Sequence, residues 1–141
     1  LQVTLTFQKV IHFTDWVVGH AHLVMFGVFS MWIFGFMTYL MPRLFGRQWY
    51  SRKLLEVHFW CSAAGVFIMF LDLTMAGMFQ GYSWAAMQPW QDMLAFSQPF
   101  WITRIFAGLL MFAGFLGFLY IIFMTMSGAT QQASDSVVAP A

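Results

Sequence analysis

The sequence predicts an all-α membrane protein with three transmembrane helices, and three observations carry that prediction. Of 141 residues, 61% are hydrophobic and 8% are charged, against about 25% charged in a soluble domain. Six Lys and Arg with five Asp and Glu are too few to cover a water-facing surface. The uncharged stretches also reach the roughly 20 residues that a bilayer span needs. Soluble globular and disordered classes are excluded. A net charge of +1 offers no basic face for nucleic acid, and the single Cys61 excludes a disulfide framework or a cysteine-ligated metal.

The first element is a helix over about 16–41. No Asp, Glu, Lys or Arg occurs from Trp16 to Pro42, although His20 and His22 lie inside. A second helix is expected over about 54–79: Val57 to Leu71 is uncharged, and the apolar run continues through Asp72 to Phe79. The third, over about 99–125, contains the apolar run Ile105–Met126 and takes Pro99 as its favoured first-turn residue. Residues 1–126 form one helical unit, and residues 127–141, SGATQQASDSVVAPA, form a disordered tail.

The two connections differ in charge. PRLFGRQWYSRK carries Arg43, Arg47, Arg52 and Lys53, whereas QGYSWAAMQPWQDMLAFSQ carries Asp92 and no basic residue. The positive-inside rule puts residues 42–53 and the C-terminus in the cytoplasm. Trp49, Tyr50, Trp84 and Trp90 fall near the expected interfaces. Small residues such as Gly65, Gly77, Ala107 and Gly114 predict close packing, in greater number than three lone helices require. The chain starts at Leu1 with no basic n-region or cleavage site. It reads as a piece of a longer protein.

The chemistry concentrates in HFTDWVVGHAHLVMFG, residues 12–27. At 100° per residue, His20 and His22 point about 200° apart, so one ion cannot be held by both. Two histidines serving one zinc stand at i and i+4. Spacing of two suits a cofactor on each flank, as two haems would be. Packing or water-cavity histidines remain the alternative.

In order along the chain, VIHFTDWVVGHAH, MPRLFGRQWYSRKLLEVHFW, AGMFQGYSW and FWITRIFAG resemble the C-terminal part of subunit I of cbb3-type cytochrome c oxidases. These belong to the haem–copper oxidase superfamily, and the resemblance covers residues 9–126. It implies helices ten to twelve of a twelve-helix bundle. It also implies a respiratory terminal oxidase that reduces oxygen to water with electrons from cytochrome c, coupled to proton translocation. His20 resembles the proximal ligand of the high-spin haem b3, and His22 an axial ligand of the low-spin haem b. His12 matches a position contacting a haem propionate, about 12 Å from His20 along a continuous helix.

Copper would be held by ligands outside this chain, as would the second axial ligand of haem b, and the piece alone would be inactive. Implied partners are membrane lipid, the rest of subunit I, and further subunits carrying c-type haems. The implied location is the bacterial inner membrane.

The other polar residues have two readings each. Asp15 is a cofactor-site or proton-exit residue, or an ordinary first-turn acid. Arg104 pairs with a propionate or snorkels at the outer end of the third helix. His58 is expected to be an interfacial structural residue beside Glu56. Asp72 is expected to bond Thr74 or a neighbouring subunit, and Met25 and Met31 to fill the core. A nitric oxide reductase large subunit shares the H-x-H pair, although TDW favours the oxidase. A haem-free transporter segment is the reading from another class.

Overall fold

Thr14 stops one helix and starts the next. Its Oγ1 donates to the Ile11 carbonyl at 2.6 Å and accepts from the Trp16 amide at 3.3 Å, closing two helix ends with one hydroxyl. This computed structural model describes residues 2–128, and all regular structure among them is helical. A short α1 (Leu5–Ile11) precedes α2 (Asp15–His22). A π-helical stretch, Leu23–Ser30, joins α2 to α3 (Met31–Phe45). Then follow α4 (Arg52–Ala85) and α5 (Trp90–Ser127).

Three helical segments are long and apolar enough to cross a membrane: Asp15–Phe45, Arg52–Ala85 and Trp90–Ser127. The expected three-helix architecture is present. All but the first two residues of the expected tail lie outside the described residues.

The first span ends at Gly46, whose φ of 61° lets the Arg47 amide bond back to the Pro42 carbonyl at 3.0 Å. The loop is then tied to α3 and to the end of α5. Arg47 Nη1 donates to the Met126 carbonyl at 2.8 Å, a cation on the negative end of α5. Trp49 Nε1 donates to the Thr38 carbonyl at 3.0 Å, and the Tyr50 amide to Thr125 Oγ1 at 3.1 Å. Ser51 caps α4 by accepting from the Leu54 amide at 3.4 Å.

The core runs along the α4–α5 interface, where Val66, Met69 and Leu73 meet Ala107 and Met111, with Phe26 against them. Gly65 makes this approach possible: a Cβ there would lie 2.5 Å from Met111 Cγ and 3.0 Å from the Ala107 carbonyl. Small residues at this seam do what the sequence predicts. The outer face of the first span is apolar and uncovered, with Trp32 and Phe36 exposed.

The third helix starts nine residues earlier than its sequence predicts, at Trp90 in place of Pro99. Pro99 sits inside α5. Packing on α4 carries the helix through this polar stretch. The Phe79 and Phe96 rings stack at 3.5 Å, Trp84 Nε1 meets Met93 Sδ at 2.9 Å, and Met93 and Ser97 are buried. The predicted long second connection shrinks to the turn between Ala85 and Trp90.

His58 is enclosed by neighbouring helices. It is buried at 4% exposure, stacked on Phe118 at 4.4 Å and edge-on to Phe34 at 4.8 Å. Its Nδ1 lies 2.9 Å from the Gly114 carbonyl. Gly114 admits this contact by lacking a side chain: a Cβ there would meet Ser62 Oγ at 3.1 Å and the His58 carbonyl at 3.2 Å. The adjacent Glu56 suggests water, but the face of α4 that carries His58 turns toward α3 and α5.

Candidate functional site

The histidine-bearing helix is pressed onto α4 through glycine. Gly19, immediately before His20, is buried, and a Cβ there would lie 2.9 Å from Leu73 Cβ. Gly77 faces the backbone of Trp16, and Gly81 faces the Val10 carbonyl, each closely enough that an added Cβ would collide with backbone. Backbone-to-backbone approach at these points fixes the depth of α2 in the bundle.

On that helix His20 and His22 occupy different surroundings. The His20 ring lies parallel to the Trp16 indole, one turn earlier, with centroids 5.7 Å apart and an 8° interplanar angle. His22 is exposed and lines a hollow with Ala21, Met25, Phe26 and Ser30. Its Nδ1 is 2.9 Å from the Val18 carbonyl. A carbonyl only accepts, so the ring nitrogen facing it is the N–H, and in the neutral ring Nε2 keeps its lone pair. That is how a protein orients an imidazole for a metal. Among the described residues no three His, Cys, Asp or Glu side chains converge on one point.

His12 does not continue into the histidine helix. The chain turns over residues 12–14, with Phe13 at φ 64°, and the exposed His12 ring stacks on Phe13 at 4.0 Å. The distance of about 12 Å expected from helix rise does not apply across that break.

Asp15 and Arg104 meet each other. Arg104 Nη2 and Asp15 Oδ2 are 2.8 Å apart, with side chains 31% and 19% exposed. Arg104 stands fourteen residues into α5 and not at its outer end, because that helix begins at Trp90. Asp72 joins from the other side, its Oδ2 3.9 Å from Arg104 Nε. The expected bond from Asp72 to Thr74 is absent: Asp72 Oδ2 and Thr74 Oγ1 both lack a hydrogen-bond partner. The cation on α5 draws the carboxylate toward it.

Gln80 completes the cluster, and the sequence reading passed over it. Its Oε1 accepts from the Asp15 amide and its Nε2 donates to Asp15 Oδ2, both at 2.8 Å. An uncharged amide inside an apolar run, with Gly77 and Gly81 beside it, was the available signal.

The comparisons agree with one another. A family model for "Cytochrome C and Quinol oxidase polypeptide I" matches residues 1–110. The chain is similar to the Cbb3-type cytochrome c oxidase subunit CcoN1 of Stutzerimonas stutzeri, at 30% identity over 139 residues, 93% of this chain and 29% of that protein. It is also similar to cytochrome c oxidase subunit 1 of Rhodobacter capsulatus, at 30% identity over 138 residues, 92% of this chain and 26% of that protein. A cytochrome c oxidase subunit 1 homolog of Azorhizobium caulinodans is 31% identical over 140 residues, 92% of this chain and 25% of that protein. The chain thus spans 25% to 29% of the length of these relatives.

Proposed function

This chain belongs to the cytochrome c and quinol oxidase polypeptide I family, and from that premise we propose that it supplies the haem-ligating segment of a cbb3-type terminal oxidase. The whole enzyme would reduce oxygen to water with electrons from cytochrome c and couple this to proton translocation. His22 would be an axial ligand of the low-spin haem b, and His20 the proximal ligand of the high-spin haem b3. When bound, the haems and a copper held by residues outside this chain would supply electron transfer and oxygen reduction.

The observation that carries the reading is the pair of histidines two apart on one helix, with the His22 ring fixed by Val18 so that Nε2 is left to bind. Within the chain, Trp16 would hold the His20 ring flat against its indole. His12 and Arg104 would give the haem propionates an imidazole and a guanidinium. Asp15 would act on the same groups by holding Arg104 in place through their ion pair. The four basic residues of segment 42–53 support a cytoplasmic placement for that loop in the bacterial inner membrane.

Substitution in the full-length subunit tests the roles separately. His22→Ala should remove the low-spin haem signal selectively. His20→Ala should abolish carbon monoxide binding at the high-spin haem while low-spin signal persists. Both haems surviving both substitutions would refute the assignment. Metal analysis of the same complex should find copper, and non-haem iron in its place would turn the reading to a nitric oxide reductase.

A further inference from the structure

The α2 N-terminus poses a local problem that the chain solves from 65 residues away. The first amides of a helix have no intrahelical acceptor. Thr14 serves two of them: its Oγ1 accepts from Trp16 at 3.3 Å and its carbonyl accepts from Val17 at 3.2 Å. The Asp15 amide is left, and Gln80 Oε1 takes it at 2.8 Å. The same amide group of Gln80 donates from Nε2 to Asp15 Oδ2 at 2.8 Å. One planar group therefore reads the backbone and the side chain of one residue, which fixes both position and rotation.

The clamp sits where the two helices are closest. Gly77 and Gly81 place the α4 backbone against Trp16 and Val10, on either side of Gln80 in the chain. Gln80 is itself buried at 9% exposure. Asp15 Oδ2 also receives Arg104 Nη2 at 2.8 Å, so the clamp ties α2, α4 and α5 at a single oxygen. Asp15 precedes His20 by five residues and His22 by seven on a continuous helical segment. A rotation of the helix start is passed to both rings.

We propose that Gln80 is a positioning residue for the histidine-bearing helix, acting through Asp15 to set the rotation at which His20 and His22 present their ring nitrogens. The inference rests on the haem reading of those histidines. It differs from a generic packing role because the two hydrogen bonds have a direction. Gln80→Glu keeps the shape and the acceptor for the Asp15 amide, but replaces the Nε2 donor by an oxygen that faces a carboxylate. Asp15→Asn combined with Gln80→Glu exchanges amide and carboxylate and restores both bonds of the clamp, but gives up the Arg104 contact, because a nitrogen then stands where Oδ2 received Arg104 Nη2.

The test uses the full-length subunit in its membrane complex and three readouts. These are oxidase turnover, the electron paramagnetic resonance signal of the low-spin haem, and amide hydrogen exchange over residues 14–22. Gln80→Glu should lower turnover about tenfold, the lower end for loss of a residue that orients a metal ligand, with a changed low-spin signal and faster exchange. The Asp15→Asn/Gln80→Glu double variant should recover part of each relative to Gln80→Glu, stopping short of wild type by the lost Arg104 contact.

Wild-type behaviour of Gln80→Glu, or a double variant as defective as the single one, would overturn the proposal. If Gln80→Glu fails to assemble, the double variant decides alone: assembly supports the clamp, and failure overturns it. Absence of haem from the wild-type complex would refute the haem reading instead, while the exchange comparison would still report on the clamp.

Discussion

Gly77 lies directly against the backbone of Trp16, and the side of α4 that carries it has no room for another atom. The contact determines how deeply the histidine helix seats, because nothing larger than hydrogen lets the two backbones approach this far. Gly77→Ala should therefore push α2 off α4, costing about 1–3 kcal/mol as overpacking does. Thermal unfolding of the intact complex should show a lowered transition. Gly35→Ala, inside α3 where a Cβ would meet nothing within 4 Å, should not lower the transition.

The Asp15–Arg104 pair should behave as a coupled unit. Arg104→Met leaves Asp15 with Gln80 as its one side-chain donor among the described residues, at a cost of about 1.5–3 kcal/mol for a lost charged hydrogen bond. Partial exposure of both side chains favours the lower end. A double-mutant cycle with Asp15→Asn, read by chemical denaturation, should return a coupling of about 0.5–3 kcal/mol. Strict additivity would mean that the pair contributes nothing.

His58 separates packing from hydrogen bonding. His58→Phe keeps an aromatic face for Phe118 and loses the contact with the Gly114 carbonyl, at about 1 kcal/mol. His58→Ala also leaves a cavity between α3, α4 and α5 and should cost about 3 kcal/mol or more. The order of the two melting temperatures checks this. If His58→Ala were the milder change, the ring would not be packed as described.

Phe13 occupies the left-handed region at φ 64° while remaining 84% exposed. A side chain there costs roughly 1–2 kcal/mol, and little packing is lost on removing it. Phe13→Gly should raise the melting temperature, and the β-branched Phe13→Val should lower it. Matching shifts in both variants would mean that the turn adopts another conformation.

Much of this is legible in the sequence, for a physical reason. Spanning a bilayer is a matter of composition and length, both visible in the uncharged run from Trp16 to Pro42. The helix start at Trp90 was not readable, because Phe96 and Met93 earn their helical place from partners on α4. The burial of His58 was not readable for the same reason: a neighbouring Glu56 describes the chain locally, whereas burial depends on which face meets α5. Asp15 and Arg104 were each picked out as charges in an apolar chain, but their pairing joins positions 89 residues apart. Gln80, with no charge and no periodic pattern, left almost no trace.

The π-helical stretch Leu23–Ser30 has a bearing on how such chains are compared. Its turns hold more residues than α-helical ones, and Ser30 Oγ bonds back to the Met25 carbonyl five residues earlier. A helical wheel drawn at 100° per residue from His22 therefore runs ahead of the true side chains before it reaches Met31. The two halves of the first span are each regular but out of phase with one another. Neighbours assigned to Trp32 or Phe36 by counting from the histidines would be the wrong ones. An alignment that is correct in number can thus be rotated in space.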